Sequence, residues 1–265
     1  AVYRSTNGGT DWTRALTATQ GPGQQFTALA VHPLTPSMVY AGTQTPKTVY
    51  RSADGGDTWS EEAIDRGFRL ALDPPSTVYA ADDWREIAKS TDGGDNWNPR
   101  VGGLTPGIIE SLAIDRASTP GTLYLGLRDN GIYESSDGGL TWHEQNEGIE
   151  ATTAPRDIDV DPQNRNRIFV AAGPDGGWRT VDGGRTWERR VADHVNAFAF
   201  HPQNTDVVYA GVANAGSGAV LRSTNGGDTF PTAYTSSVDI YALAVAAADP
   251  DVVYAGGEDG GQTVL

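Results

Sequence analysis

Three carboxylates alternate along one short segment, and their spacing is the first feature of this sequence that could do chemistry. The segment Arg-Asp-Ile-Asp-Val-Asp at 156–161 places Asp157 and Asp159 two residues apart, so in a β-strand both side chains point to the same face. A buried carboxylate without a partner is strongly destabilising. Asp157 and Asp159 are therefore candidates for ligand-contacting or acid–base groups with shifted pKa values. The alternative is an ion pair with Arg69 or Arg156, or contact with enclosed water.

A second candidate segment places an aromatic ring between charged side chains. Asp82, Asp83, Trp84 and Arg85 follow one another directly before Glu86. Asp82 and Asp83 could supply catalytic carboxylates, whereas Trp84 and Arg85 could stack on a sugar or peptide and hydrogen-bond to it. The alternative is that Trp84 only covers a neighbouring structural unit.

The elements that must position these residues follow from a repeated motif. Six segments share the pattern Ser/Thr-x-Asp/Asn-Gly-Gly-x-x-Trp/Phe, namely Ser5–Trp12, Ser52–Trp59, Ser90–Trp97, Ser135–Trp142, Thr180–Trp187 and Ser223–Phe230. The first glycine of each pair falls at 8, 55, 93, 138, 183 and 226, a mean step of about 44 residues. That step is the length of one four-stranded propeller blade.

Each copy of the motif is expected to be a self-contained hairpin. The oxygen of the third residue can accept nearby backbone N–H groups, and the two glycines supply positive φ angles. Because an amide replaces the carboxylate in two copies, we expect a structural role without metal binding or catalysis. This structural set comprises Asn7, Asp54, Asp92, Asp137, Asp182 and Asn225, with the closing aromatic residues Trp12, Trp59, Trp97, Trp142, Trp187 and Phe230.

Alternating apolar strands separate the hairpins, and no segment carries a helical period over three turns. The predicted fold is all-β: one domain over residues 1–265, forming a six-bladed β-propeller of four-stranded antiparallel blades. We expect blades to end near residues 15, 62, 100, 144, 190 and 234. The last blade would combine residues 1–15 with 240–265 and close the ring. Because residues 263–265 would duplicate a strand that residues 2–5 supply, a seventh blade in a longer protein is the alternative.

In such a fold, the loops opposite the hairpins surround one mouth of the central channel, where a ligand would sit. The aligned inner strands place Arg69, Arg156 and Tyr241 beside the two aspartates at this mouth, and Arg128 occupies an adjacent loop. We predict that these four residues bind the ligand together with Trp84 and Arg85.

Net charge narrows the choice of partner. The chain has 19 Lys and Arg against 34 Asp and Glu, a net charge of -15, which repels nucleic acid and anionic membrane surfaces. No apolar run approaches the roughly 18 residues needed to cross a bilayer, so we expect no membrane insertion. The expected partner is a protein or a carbohydrate, in an extracytoplasmic or secreted setting. Nothing in the sequence specifies an oligomeric state.

Metal and cofactor sites are not expected. The chain has no Cys, and no cluster of His, Asp and Glu has the spacing of a metal site. His32 and His201 occupy a turn position that Asp73, Asp115 and Asp161 fill in other repeats. We therefore expect both histidines to cap turns.

The repeated motif and the recurring Val-Tyr-Ala-Gly strands resemble Asp-box, or BNR, repeat β-propellers, and the resemblance covers the whole chain. Sialidases are one such family with six blades. That resemblance implies an arginine cluster, an Asp acid–base and a Tyr–Glu pair, for which Arg69, Arg128, Arg156, Tyr241, Glu110 and Asp82 are suitably placed. The Phe/Tyr-Arg-Ile-Pro start motif of sialidases is missing.

Two further families share the repeat. The sequence is similar to xyloglucanase-type glycoside hydrolases, which implies paired aspartates in a cleft between two propellers, but Gln44 stands where the first Asp is expected. It is also similar to photosystem II stability and assembly factors, single propellers that bind protein, usually with seven blades and a basic patch. We therefore expect a non-catalytic binding or scaffolding propeller. The alternative is a glycoside hydrolase that uses two carboxylates from among Asp82, Asp83, Asp157 and Asp159.

Overall fold

A computed structural model describes residues 1–6, 11–17, 25–44, 47–62, 64, 69–82, 86–100, 102–105, 107–118, 120–150, 153–246, 249–259 and 262–264. These residues form β-strands and no helix, which confirms the prediction of an all-β chain. Accordingly, the described ranges contain no helix with the length and apolarity of a membrane span. Asn7, Asp83, Trp84 and Arg85 lie outside these ranges, so what the sequence predicts for them stays a prediction.

The strands form antiparallel sheets that follow one another along the chain. An N-terminal sheet contains β1 (Val2–Arg4) and β2 (Thr13–Leu16). Five four-stranded sheets follow: sheet I, β3 (Phe26–Val31), β4 (Val39–Gln44), β5 (Lys47–Ser52) and β6 (Ser60–Glu62); sheet II, β7 (Arg69–Asp73), β8 (Thr77–Ala81), β9 (Ile87–Ser90) and β10 (Asn98–Pro99); sheet III, β11 (Ile109–Asp115), β12 (Thr122–Leu127), β13 (Gly131–Ser135) and β14 (His143–Glu144); sheet IV, β15 (Asp157–Val160), β16 (Ile168–Ala171), β17 (Gly177–Thr180) and β18 (Glu188–Val191); and sheet V, β19 (His194–Phe200), β20 (Val208–Ala213), β21 (Gly218–Ser223) and β22 (Thr232–Ser236). A C-terminal sheet contains β23 (Asp239–Val245), β24 (Val253–Asp259) and β25 (Gln262–Val264).

The core lies between consecutive sheets because alternate residues of each strand face opposite neighbours. The tyrosine of the second strand shows this arrangement. Tyr40 packs with Leu72 of sheet II, Tyr79 packs with Leu123 of sheet III, and Tyr124 packs with Ile158 of sheet IV. Each sheet therefore buries one face against the sheet that follows it. The first strands of consecutive sheets, from β3 to β23, contact one another in chain order and form the inner layer.

The repeat hairpins are shaped by local hydrogen bonds. In sheet IV, Asp182 accepts the backbone N–H of Thr186 at 2.9 Å and the Thr186 hydroxyl at 2.6 Å, and the Thr180 hydroxyl donates to the same carboxylate at 2.7 Å. Asn225 of sheet V accepts the backbone N–H of Thr229 at 3.1 Å through its amide oxygen. The glycine pairs of the five described hairpins have φ angles between 68° and 107°, a range that favours glycine because it has no Cβ. The motif is thus a turn held by its own side chains.

The two terminal sheets have two and three strands, whereas each of the five sheets between them has four. Strand β1 pairs only with β2 among the described residues, and β24 pairs with β23 and β25. No hydrogen-bonded pairing joins β1 to β24 in the described part of the chain. The composite blade of residues 1–15 and 240–265 therefore stays a prediction.

Candidate functional site

An extra residue interrupts the pairing of the inner strand with its neighbour in four sheets. The register shifts between the residues on either side of Thr27, Glu110, Asn196 and Tyr241. Such a β-bulge bends the strand and re-aims the side chain of the extra residue. All four bulges lie near the start of the inner strand, at the end that the sequence predicts to be the mouth. The bulges therefore present one side chain per sheet around this mouth.

Side chains near the bulges connect each inner strand to the backbone of the next. Arg69 donates from Nε to the carbonyl oxygen of Glu110 at 2.5 Å, and Ser111 donates to the carbonyl oxygen of Pro155 at 2.6 Å. Asn196 donates from its amide to the carbonyl oxygen of Ile240 at 3.0 Å. These bonds join sheets II to III, III to IV and V to the C-terminal sheet.

Asp157 completes this series between sheets IV and V, with the direction of donation reversed. Its Oδ2 accepts the backbone N–H of Phe198 at 3.3 Å, and Asp159, two residues on, accepts the backbone N–H of Phe200. Both aspartates thus accept backbone N–H groups on the inner edge of sheet V, where no further described strand pairs with β19. The prediction that their side chains share one strand face is in agreement with these two contacts.

Burial shifts the ionisation of both carboxyl groups. Burial raises the pKa of Asp157 to about 6, against the opposing effects of the Phe198 N–H and the positive charge of Arg69. The pKa of Asp159 is raised well above its usual range, first by burial and then by the negative charges of Asp157 and Asp161. Both residues keep partial solvent exposure, but their carboxyl groups lie between two inner strands and lose most of their hydration. Burial therefore favours the protonated form of both carboxyl groups, and the neighbouring negative charges favour it further at Asp159.

A cavity of about 300 Å³ opens beside Asp157. Its polar lining comes from Arg156, Asp157, Asn196 and Tyr241, and its apolar lining from Ala197, Phe198, Ala242 and Leu243. Arg156 and Tyr241 are exposed, with 47% of Tyr241 accessible. The Arg156 guanidinium lies over Gly173, where a Cβ would collide with it. The cavity thus combines a cation, a carboxyl group, an amide and an aromatic ring, which can bind a polar ligand but do not by themselves make a catalytic pair.

Two more of the predicted residues form a charged group in sheets II and III. The carboxylate of Glu110 accepts Arg128 Nε at 2.5 Å and also contacts Arg128 Nη2. Burial lowers the pKa of Arg69, against the charges of Glu110 and Asp157. Arg69 therefore interacts electrostatically with both Glu110 and Asp157. Neither Arg69 nor Arg128 lines the cavity. The sequence-based site is thus divided into a cavity and an adjoining ion-pair group.

Asp82 lies in a buried environment with two partners, away from the described lining of the cavity. It is 3% exposed, its Oδ2 accepts Lys47 Nζ at 3.0 Å, and its Oδ1 accepts the backbone N–H of Glu86 at 2.9 Å. Among the described residues that line the cavity, Asp82 and Asp159 are absent. The structure therefore places one carboxyl group, Asp157, in the cavity wall. Within the described ranges, no three His, Cys, Asp or Glu side chains are grouped as metal ligands.

Asn196 and the Phe198 backbone N–H are two parts of the site that the sequence did not predict. Asn196 lines the cavity and fixes the strand that carries Tyr241. When the repeats are aligned, Asn196 occupies the same position as Glu110 and Tyr241, near the start of the first strand of each sheet. This alignment is the signal that could have identified it. The Phe198 contact leaves no trace in side-chain type, since it uses a backbone N–H.

Comparison with known proteins identifies solved structures of similar fold. A GH74 enzyme of Niastella koreensis superposes with a TM-score of 0.69 and 24% identity over 80% of this chain, and an ancestral GH74 enzyme with 0.73 and 16% over 92%. The protein YCF48, bound to a D1 peptide, superposes with a TM-score of 0.71 and 17% identity over 96% of this chain and 82% of its own. The chain spans 38% of the length of each of these GH74 enzymes. No family model and no curated protein matches the sequence.

These likenesses define the class of the fold and nothing narrower. GH74 xyloglucanases and YCF48 are both β-propellers, and the consecutive four-stranded antiparallel sheets of this chain have the same arrangement. At identities below 25% the comparison carries no activity from one protein to another, because one fold supports many functions. The chain thus has a propeller-like fold whose function must be argued from its own site.

Proposed function

We propose that this chain is a non-catalytic binding module that recognises a protein or carbohydrate ligand at the mouth of its inner layer. The observation that carries the proposal is the cavity of about 300 Å³ in which Arg156, Asp157, Asn196 and Tyr241 converge. An exposed aromatic ring offers a stacking surface, and the three polar groups offer both donors and acceptors. Such a set of groups gives a ligand its orientation and specificity.

The finer architecture that we propose is a six-bladed Asp-box propeller in which the repeat hairpins are structural. Their carboxylates are engaged by their own turns, as Asp182 is by Thr186 and Thr180. The bulged residues Asn196 and Tyr241 point instead toward the mouth cavity. We therefore propose that the ligand binds at the end of the sheets opposite the repeat hairpins.

The similar structures include both a peptide-bound propeller and glycoside hydrolases, so the two candidate functions are weighed on the residues of this chain. YCF48 was solved with a D1 peptide and matches this chain over 82% of its own length, so a propeller of comparable extent binds a peptide. The GH74 enzymes extend far beyond the matched region, since this chain spans 38% of their length. Among its described lining residues the cavity has one carboxyl group, Asp157, which supports binding without catalysis.

A glycoside hydrolase is the second candidate function, and the pKa of Asp157 favours it. A carboxyl group with a pKa of about 6 can act as a general acid near neutral pH. Hydrolysis also needs a second carboxylate about 5–9.5 Å away across the scissile bond. Asp159 lies outside the described lining of the cavity and accepts the Phe200 backbone N–H, which leaves that second role without a carboxylate among the described cavity residues.

Ligand screening with two matched tyrosine variants tests the proposal. The wild-type chain would be screened on a glycan array and a peptide array, and each positive probe would be measured by calorimetry. Tyr241→Ala should weaken binding at least about tenfold, equivalent to about 1.4 kcal/mol. Tyr234→Ala, which removes a 62% exposed tyrosine on the outermost strand of sheet V, should leave binding unchanged.

A fluorogenic glycoside panel separates binding from catalysis. We expect no turnover by the wild-type chain, and Asp157→Asn should alter affinity only. Turnover that Asp157→Asn or Asp159→Asn abolishes would contradict the proposal and establish the hydrolase.

A further inference from the structure

The repeat hairpins receive side chains from the sheet that precedes them in the chain. Where sheet I meets the hairpin of sheet II, Tyr40 and Arg51 both donate to the carbonyl oxygen of Gly93, at 2.9 and 2.8 Å. Arg51 also lies between two carboxylates, with its Nε 3.3 Å from Glu62 and its Nη2 2.9 Å from Asp95. The cation is therefore neutralised by its own sheet and by the next hairpin.

Three other contacts between a strand and the next hairpin also bring an acid and a base together at this place. The pairs are Arg4 with Asp57 at 2.6 Å, Arg179 with Asp228 at 2.9 Å and, with the two charges exchanged, Glu134 with Arg185. In the third pair the strand supplies the acid and the hairpin supplies the base. Each of these contacts therefore contains its own counter-charge.

The contact between sheet II and the hairpin of sheet III departs from this pattern. In the aligned repeats, Lys89 replaces the arginine, Arg100 replaces the glutamate and Leu140 replaces the aspartate. The stem of Arg100 packs on the hairpin, 3.4 Å from the point that a Cβ of Gly139 would occupy. Leu140 is 55% exposed. Two cations therefore meet here, and an arginine and a leucine take the places of the two carboxylates.

The tyrosine hydroxyl at the same contact is left without an acceptor. Tyr79, which corresponds to Tyr40, is 0% exposed, and its hydroxyl makes no hydrogen bond with any described residue. This hydroxyl and Lys89 Nζ lie 3.3 and 2.8 Å from the point that a Cβ of Gly138 would occupy. Lys89 Nζ also lies 5.2 Å from the centre of the Tyr79 ring. Because a buried hydroxyl without a partner is costly, the group is suited to an acceptor from outside the chain.

The charges around this group do not neutralise it. Burial lowers the pKa of Lys89, and the positive charge of Arg100 lowers it further, against the effect of Asp73. Burial raises the pKa of Tyr79 to about 12, with Asp73 acting in the same direction and Arg100 against it. The carboxylate of Asp73 accepts the backbone N–H of Gly121 at 3.2 Å. Within the described ranges, no salt bridge joins Asp73 to Lys89 or Arg100.

We propose that Lys89, Arg100 and the Tyr79 hydroxyl form a binding site for a tetrahedral oxyanion, that is, a phosphate or sulfate group. An ammonium, a guanidinium and a hydroxyl are all hydrogen-bond donors, and such a group has enough oxygens to accept from all three. The bound anion supplies the negative charge that Glu62 and Asp95 supply between sheets I and II.

The site is open to solvent and separate from the mouth cavity. Lys89 and Arg100 are partly exposed, so a small ion can reach both. Charges more than about 10 Å away are largely screened at an ionic strength of about 0.1 M, so the net charge of -15 does not prevent local binding. The described lining of the mouth cavity includes neither cation.

Calorimetric titration with inorganic phosphate and with phenyl phosphate, at constant ionic strength, tests the site. Lys89→Gln should weaken binding at least about tenfold, since it removes one of the two charges that hold the anion. Leu140→Asp should weaken binding as much, because it places a carboxylate where sheet II has Asp95. The matched control Arg14→Gln removes an exposed cation of strand β2 and should leave the affinity unchanged.

Thermal melting in chloride and in phosphate provides an independent measurement. Leu140→Asp should melt several degrees above the wild type in chloride, because its carboxylate pairs with the two cations. Phosphate stabilises proteins even without a site, and that part of its effect should be equal in both chains. The wild type should gain more from phosphate than Leu140→Asp does, since binding to the native state adds stability. Tyr79→Phe should not lower the melting temperature in chloride, whereas Tyr40→Phe, which loses the bond to Gly93, should.

The two probes also identify the form of the anion. Saturable binding of both supports a site for the free ion, and binding of phenyl phosphate alone supports a site for an esterified phosphate. No saturable binding of either probe by the wild type would overturn the proposal. The same conclusion follows if Lys89→Gln and Leu140→Asp both bind with wild-type affinity.

Discussion

Asp157 on the inner strand of sheet IV accepts the backbone N–H of Phe198 on the inner strand of sheet V, at 3.3 Å. This contact joins two sheets through a group that titrates, because burial raises the pKa of Asp157 to about 6. The same residue lines the mouth cavity. The strength of the contact between sheets IV and V should therefore depend on pH, and this contact lies beside the cavity where we expect ligand to bind.

Replacement of Asp157 by Asn should stabilise the protein at neutral pH. The folded pKa of about 6 exceeds the ordinary value of 3.8, so the native state binds more protons than the unfolded state between these two values. The stabilisation from the neutral carboxyl group is fully present below about pH 4 and is lost as pH rises through about 6. Asp157→Asn keeps an oxygen acceptor for Phe198 and never ionises. We expect the free energy of unfolding of Asp157→Asn to exceed that of the wild type by up to about 3 kcal/mol at pH 7.5.

Urea denaturation at pH 4.5 and pH 7.5 measures this difference. The advantage of Asp157→Asn over the wild type should shrink markedly at the lower pH. Asp193→Asn, at an exposed position, provides a control that should show little change at either pH. An Asp157→Asn variant that is less stable than the wild type at pH 7.5 would contradict the assignment of a penalised carboxylate.

Arg167 should be among the most sensitive charged positions, because it joins a buried aspartate to the next sheet. Its guanidinium donates to Asp161, which is 2% exposed, at 2.7 Å, and to the carbonyl oxygen of Thr205 at 2.7 Å. Arg167→Met removes the cation and leaves Asp161 charged and buried. We expect a loss of about 3 kcal/mol in the free energy of unfolding. Chemical denaturation at pH 7 measures it.

Two companion variants distinguish loss of the charge from loss of packing. Asp206, the other carboxylate partner of Arg167, has a 64% exposed side chain, so Asp206→Asn should cost less than about 1 kcal/mol. The double variant Arg167→Met/Asp161→Asn should recover part of the loss, since it removes the unpaired charge. No recovery would mean that Arg167 acts through its aliphatic stem.

The strands and turns could be predicted from the sequence because each depends on local chemistry. Alternating apolar residues define the strands, and Asp-Gly-Gly defines the hairpins. The turn-capping role of His32 and His201 is confirmed: Nδ1 of His32 accepts the N–H of Thr35 at 3.0 Å, and Nδ1 of His201 accepts the N–H of Asn204 at 3.0 Å. Each contact spans three residues, so sequence order already brings the groups together.

The site was less accessible to prediction because its contacts are not local. The bulges at Thr27, Glu110, Asn196 and Tyr241 occupy equivalent positions in the repeat but share no residue type, so no kind of side chain marks them. Asp82 pairs with Lys47, 35 residues away in another sheet. Only the packing of sheet II against sheet I shows that this carboxylate has a structural partner.

The repeat hairpins should tolerate an amide but not the loss of the side-chain oxygen, and Asp182 is the position that tests this. Partial burial alone would raise the pKa of Asp182, but hydrogen bonds from Thr186 and Thr180 outweigh it and lower the pKa to about 2. Asp182→Ala leaves the N–H of Thr186 without its acceptor and should cost about 1–3 kcal/mol. Asp182→Asn retains the acceptor, as Asn225 does for Thr229 at 3.1 Å, and should cost less than half as much.

Thermal melting across pH completes the test of the hairpin. The lowered pKa means that the carboxylate of Asp182 contributes stability above about pH 4, and that this contribution is lost as pH falls through about 2. The gap between the wild type and Asp182→Asn should therefore close toward pH 2. The gap between Asp182→Asn and Asp182→Ala should persist at all pH values, since an amide does not titrate. If the two variants melt together at pH 7, the turn is held by its glycines and not by the side-chain oxygen.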